Sequence, residues 1–304
     1  DIQIEFIRIQ HSIVDSAFAA IHTPEGVILY ASDFKLDRTP TIGAPPDFAR
    51  LKNLGKEGVK AMITESTNSG LSGKTPSEQI AKDLVRDVLL GTEETDSGVL
   101  ITTFSSHVSR INAIIQAAEE MNRIPVLLGR SMERYLTIAQ KMGYIKFPQN
   151  LEVHGSRNAV EKALKRIAQE GKKKYLPITT GHQGEPDAIL TRIANGETQY
   201  RIESGDKVIF SANAIPNPMT LANRYALETK LKMAGARVYD NVHVSGHASK
   251  EDHWELLRMV NPEQVIPSHG NMTMHASYVE LAEDAGYVFG DTVHIMRNGE
   301  EMVI

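Results

Sequence analysis

Residues 27–37 read Val-Ile-Leu-Tyr-Ala-Ser-Asp-Phe-Lys-Leu-Asp, an apolar run that stops at an acid. Short apolar runs bounded by polar residues form strands, so Val27 to Ser32 is expected to be a strand whose C-terminal end delivers Asp33. The pattern repeats on either side. Ile2 to Ile9 mixes β-branched and aromatic residues with polar ones and stops at Gln10-His11, while Val59 to Thr64 delivers Glu65. Because residue 1 enters a strand with neither cap nor leader, the reading expects an internal fragment that begins in mid-fold.

From residue 75 the period changes. Thr75-Pro76-Ser77-Glu78 combines an N-cap, a proline at the first helical position and a capping-box glutamate, and predicts a helix to about Leu90. Strands and helices then alternate: Gly98 to Phe104, Ser109 to Met121, Ile124 to Leu128, Met132 to Met142, Tyr175 to Thr179, Lys207 to Ala212 and Met219 to Ala234. Alternation of this kind implies a parallel sheet with crossover helices, hence an α/β fold. A strand at Val265-Ile266, a helix near His275 to Ala285 and a hairpin turned at Asn298-Gly299 follow. The expected segments are 1–75, 76–240 and 241–304, the last returning to the domain of the first.

Composition limits the chemistry. With 41% apolar and 23% charged residues among 304, the chain has the balance of a globular protein. No run approaches 18 apolar residues, so no membrane span is expected and the expected location is cytoplasmic. There is no cysteine, which excludes thiol nucleophiles, thiolate ligands and disulfides, and leaves imidazole and carboxylate to hold any metal. A net charge of −5 argues against nucleic-acid binding over a broad basic surface and points instead to a localised groove.

Five segments place histidine or carboxylate where a predicted strand ends: His11-Ser12, Ser32-Asp33-Phe34, Glu65-Ser66-Thr67-Asn68, His243-Val244-Ser245-Gly246-His247-Ala248 and Pro267-Ser268-His269-Gly270. In open sheets, ligands gather at the carboxyl ends of strands, where such residues can converge. Singly, each also reads as a turn or cap residue. His243 and His247 have helical i,i+4 spacing, although Ser245-Gly246 favours a loop. Ser105-Ser106-His107 opens a helix whose amides could hold a phosphate, or Ser106 simply caps it. Lys172-Lys173-Lys174 reads as a solvated charge run.

In this order the segments resemble the metallo-β-lactamase fold carrying a β-CASP insertion, and within it the ribonuclease J family. The resemblance runs from His11 to Ala276 and is most specific at Ser32-Asp33-Phe34-Lys35-Leu36-Asp37, at Glu65-Ser66-Thr67-Asn68, at Thr180-Gly181-His182-Gln183-Gly184-Glu185-Pro186, and at His247 followed 22 positions later by His269. It implies part of an αββα sandwich with an inserted parallel α/β domain. It implies His11 and His269 as metal ligands, Asp33 as the carboxylate bridging two divalent ions, zinc or manganese, His247 as proton donor to the leaving group, and Glu65 as the acid that orients it. It further implies that His243, Val244, Ser245 and Gly246 receive phosphates near the cleavage site and that Arg224 touches RNA, while Ser106 and His107 stay candidates for another phosphate on the helix-start reading alone. The implied activity is 5′-to-3′ exoribonuclease action, with possible endonuclease activity, on RNA bearing a 5′-monophosphate, by a homodimer.

Three departures accompany the resemblance. The family's His-x-His-x-Asp-His motif is absent among the eleven histidines and is expected upstream of residue 1, so the chain alone is expected to be inactive or nearly so. His182 stands where many relatives carry a small polar residue. Asn271 stands where a glutamate is usual, and the early stop resembles the shorter archaeal form. Two other readings remain. A DNA-processing β-CASP nuclease usually carries valine in place of His269, and a non-catalytic β-CASP RNA-binding scaffold needs neither a metal bridge nor an acid.

Overall fold

The computed structural model describes residues 1–91 and 97–303. Side-chain alternation governs how the first strands lie. In β1 (Gln3–Arg8) Ile7 is buried, whereas Ile4 and Phe6 on the opposite face are 57% and 76% exposed. β1 pairs antiparallel with β2 (Ala17–Thr23), which turns back into β3 (Gly26–Ala31). Asp47 then accepts from the Arg50 amide at 2.9 Å and caps α1 (Phe48–Glu57), which buries Leu51 and Leu54. β4 (Val59–Glu65) joins β3 in parallel.

Residues 78–244 form a separate unit. In chain order it contains α2 (Glu78–Leu90), β5 (Val99–Thr102), α3 (Val108–Glu120), β6 (Ile124–Leu128), α4 (Arg130–Lys141), β7 (Glu152–His154), α5 (Arg157–Glu170), β8 (Tyr175–Thr179), α6 (Ile189–Ala194), β9 (Lys207–Phe210), α7 (Pro218–Met233) and β10 (Arg237–Tyr239). The strands form one parallel sheet in the order β10-β9-β5-β8-β6-β7. Every residue of β5, β8 and β9 is buried, as strands covered on both faces require. Helices supply the cover through spaced apolar stripes; α5, capped by Ser156, buries Val160, Ala163, Leu164 and Ile167.

The expected helix from Pro76 begins at Glu78, whose carboxylate meets the fully buried guanidinium of Arg110 in a two-pronged pair at 2.7 and 3.0 Å. Burial alone would raise the Glu78 pKa, but His107 and Arg110 hold it far below the carboxylate range. Removing one partner of such a pair strands the other charge in the interior. Arg110→Met is therefore expected to destabilise the fold by about 3–5 kcal/mol, read as a lower urea midpoint; an unchanged midpoint would contradict this account.

The chain returns to the first unit, residues 1–77 with 245–304, through α8 (Lys250–Val260), β11 (Gln264–Ser268) and α9 (Met272–Asp284). β11 lies parallel to β4, completing a sheet of order β1-β2-β3-β4-β11. Ile7, Phe18, Leu29 and Met62 of this sheet share a core with Leu54, Leu256 and Leu281 of the helices. One β layer and one α layer of the αββα arrangement are thus present. Asn271 caps α9 by accepting from the Met274 amide at 3.0 Å, which gives this departure from the family pattern a structural role. At Asn298-Gly299 there is a turn but, among the described residues, no hairpin. Residues 297–301 are exposed, so a ladder there would bury nothing, and Val293 instead makes isolated bridges to Val265 and Phe289. Among the described residues no helix is long and apolar enough to cross a membrane.

Candidate active site

Strand direction gathers the site. β3, β4 and β11 are parallel neighbours, with Ala31 opposite Thr64 and Ser268 opposite Glu65. Asp33, Glu65 and His269 therefore emerge from one edge of the sheet. β1 runs the same way, being antiparallel to β2, and carries His11 to that edge.

The two Asp33 oxygens face different histidines. Oδ2 lies 3.9 Å from His11 Nε2 and Oδ1 lies 3.7 Å from His269 Nε2. Both separations exceed a hydrogen bond yet fall short of twice a metal–ligand bond of about 2.0–2.2 Å. His11 Nδ1 contacts the Gly246 carbonyl at 2.8 Å, and a carbonyl can only accept. The Nδ1–H therefore donates, and the Nε2 lone pair is left facing Asp33. Burial, and the charge of nearby His247, lower the His11 pKa and favour that neutral, ligating form. Imidazole and carboxylate donors suit a divalent ion such as zinc or manganese, so the residues present fit one.

His247 is set up differently. Its Nδ1 lies 2.6 Å from Oε2 of Glu65, a carboxylate only 1% exposed, whose other oxygen accepts from the Phe34 amide at 2.8 Å. Glu65 thus joins the imidazole to the backbone directly after Asp33. Burial is the largest influence and would lower the His247 pKa, but the bond to Glu65 together with the Glu65 and Asp33 charges outweighs it and the net shift is upward. Burial correspondingly favours neutral Glu65, yet pairing with His247 keeps its pKa low. Nitrogen and oxygen atoms of His11, Asp33 and His247 lie within 4.8 Å of one another, so His247 could in principle be a ligand. Its pairing favours the protonated imidazole, which cannot ligate.

This arrangement predicts a titration. In Glu65→Gln the carboxylate charge that opposes burial is gone and only the weaker pull of Asp33 is left, so the His247 pKa should fall from its raised position, as followed by NMR of the imidazole. A pKa that stays raised would contradict the role given to Glu65. Since the folded-state pKa of His247 is raised, the pair stabilises the fold below the unfolded pKa of about 6.5, and that stabilisation is lost as pH rises through the folded value.

Contacts invisible in the sequence hold these groups in place. Ser245 Oγ accepts from the His247 amide at 3.0 Å and from Asn68 Nδ2 at 3.1 Å, and Thr75 donates to the His247 carbonyl at 2.7 Å. His269 has a left-handed backbone (φ 45°), a conformation that costs energy in a non-glycine residue. Its carbonyl accepts from Thr67 Oγ1 at 3.0 Å, and the Thr67 carbonyl accepts from buried His253 at 3.1 Å. Beside it a Cβ on Gly270 would stand 2.4 Å from Ser66 Oγ, so a side chain there would displace the Ser66 hydroxyl from its bonds to the Ser268 carbonyl and His275.

The remaining expected site residues divide between the site and the second unit. Ser245 and Gly246 belong to the first unit, while His243 and Val244 belong to the second. His243 Nδ1 accepts from Arg110 at 3.2 Å, and burial with the Arg110 charge lowers its pKa to about 3, so the ring is neutral and already engaged. Val244 is buried, with its carbonyl accepting from Arg110 at 3.3 Å. The cap position of α3 is His107 rather than Ser106; its buried Nε2 lies 3.4 Å from Glu78, while Ser106 is half-buried. Arg224 does not face outward for RNA. It packs over Phe210 at 3.5 Å, pairs with Glu228 and donates to the His182 carbonyl at 2.8 Å. His182 itself is buried against Phe104.

Comparison with known proteins shows the family. Residues 96–226 match the family described as "Ribonuclease J, beta-CASP domain", and residues 234–296 match "Zn-dependent metallo-hydrolase RNA specificity domain". Ribonuclease J of Methanocaldococcus jannaschii is 51% identical over 300 residues, 99% of this chain and 67% of that protein. The Pyrococcus abyssi ribonuclease J is 50% identical over all of this chain and 67% of its own length, and the Synechocystis one is 38% identical over 98% of this chain and 45% of its own. The chain thus spans about two thirds of the archaeal relatives and less than half of the cyanobacterial one. A crystal structure of a protein of unknown function from Enterococcus faecalis shares the fold, with a TM-score of 0.58 at 16% identity over 99% of this chain and 63% of that one.

Proposed function

Because the chain belongs to the ribonuclease J family of metal-dependent ribonucleases, we propose that the protein trims RNA from its 5′ end, with endonucleolytic cutting as a second mode. The reading rests above all on Asp33, which offers one oxygen to each of two histidines beside the Glu65–His247 pair. His11, Asp33 and His269 would hold divalent ions, two of zinc or manganese. Such ions supply Lewis acidity toward the scissile phosphate and make water nucleophilic near neutral pH.

The chain's own residues do the rest. Glu65 keeps His247 Nδ1–H engaged and favours the imidazolium, so His247 Nε2 holds its proton to higher pH than a free imidazole would. That proton passes to the 3′ oxygen as the phosphodiester breaks, which spares the leaving group a full negative charge. The Asn68–Ser245 contact and Thr75 fix the loop that aims the ring. A 5′-monophosphate substrate, a homodimeric assembly and a cytoplasmic location complete the proposal. Its test is digestion of 5′-labelled RNA by the full-length protein with manganese. Early release of labelled mononucleotide is expected; labelled internal fragments alone would overturn the 5′ exonuclease reading.

A further inference from the structure

The second unit carries a cationic pocket that no step above uses. Strands β6 and β7 are parallel neighbours, and each runs through one or two linking residues into a helix, α4 and α5. The Gly129 amide donates to the His154 carbonyl at 3.0 Å and ties the two turns together. Both helices thus begin at one edge of the sheet, where a cavity of about 690 Å³ opens beside Thr180, the residue that follows β8. Arg130, Arg134 and Arg157 line it.

Their chemistry is unusual for surface arginines. Arg130 and Arg134 are one helical turn apart on α4, and Arg157 is the first residue of α5, whose first turn holds no acid. Cations at a helix start oppose the macrodipole, a position that favours anions. All three are exposed, and none of their side chains makes a hydrogen bond or ion pair among the described residues. Asp187 also lines the cavity, leaving an excess of positive charge. Three planar donors without protein acceptors, around a cavity that Thr180 also lines, match closely spaced phosphate oxygens.

We propose that this pocket is a second RNA-binding site that holds phosphodiester groups of a single strand through Arg130, Arg134 and Arg157. The inference rests on the ribonuclease reading for the identity of its ligand. In a chain of net charge −5 the cluster gives the protein a local rather than a general hold on RNA.

The test compares full-length protein with its Arg130→Gln/Arg134→Gln/Arg157→Gln variant, and with a control that removes exposed lysines of the same unit, Lys162→Gln/Lys165→Gln. Fluorescence anisotropy reports the affinity for a single-stranded RNA of about twenty nucleotides across a salt series, and cleavage of a dinucleotide reports the metal site. Each phosphate contact contributes roughly 0.7 to the slope of log affinity against log salt. The triple variant is expected to bind about tenfold more weakly near 0.1 M salt with a slope smaller by about 1–2, while dinucleotide cleavage and thermal midpoint are unchanged and the lysine control binds as wild type. Unchanged RNA affinity with intact cleavage overturns the pocket alone. Equal losses in the arginine and lysine variants overturn it in favour of diffuse charge, and wild-type protein that neither binds nor cuts RNA removes the ribonuclease reading as well.

Discussion

Replacing His247 with alanine is expected to lower RNA turnover by the full-length protein about 10²- to 10⁴-fold, the usual contribution of a positioned general acid. RNA affinity should hardly change, since the ring acts on the leaving oxygen and not on the bound strand. Alanine also leaves Glu65, a buried carboxylate, without its imidazole partner, so some stability is lost and the thermal midpoint must be read beside the rate. His247→Asn separates the two effects. Its side-chain amide can still donate toward Glu65 but carries no titratable proton. Wild-type activity should fall as pH rises through the raised His247 pKa, and that limb should vanish in the asparagine variant. Wild-type turnover in either variant would remove His247 from the mechanism.

Loss of Asp33 should be at least as severe. Asp33→Ala deletes both oxygens that face His11 and His269, and the histidines alone offer neutral donors with no charge to offset a divalent ion. Expected are reduced bound metal in the purified protein and cleavage slower by on the order of 10³-fold, corresponding to several kcal/mol of lost charge stabilisation. Asp33→Asn should behave almost as badly, because one oxygen becomes an NH₂ that repels the cation. Full metal content and wild-type cleavage in Asp33→Ala would contradict the bridging assignment.

Much of the site was legible because strand patterns are local. The apolar runs before Asp33 and Glu65 end where the strands do, and parallel pairing brings those ends to one edge. What the sequence hid falls into two kinds. Some elements carried signals that went unread: α8 opens with the capping box Ser249/Asp252, and α5 with Ser156 ahead of an i, i+4, i+7 apolar stripe. β2, reading Ala-Phe-Ala-Ala-Ile-His-Thr, lacks a strong β-branched run and takes its identity from pairing with β1 and β3.

Burial was the second hidden quantity. Arg224, His107 and His243 have the chemistry of phosphate contacts, but packing puts them against Phe210, Glu78 and Arg110. Residue type cannot separate a cation that meets substrate from one that satisfies the interior, because both need an acceptor. The contacts of Thr67, Asn68 and Thr75 join segments more than 170 residues apart. No local pattern reports them.

If these strand-end residues serve a divalent-metal centre that cuts RNA, metal and cleavage must rise and fall together. This coupling is tested most directly by stripping the full-length protein with a chelator, then following 5′-labelled RNA cleavage and bound metal as zinc or manganese is returned. The account predicts that cleavage disappears with the metal and returns with it in wild type but not in Asp33→Ala. Undiminished cleavage by metal-free protein would contradict it.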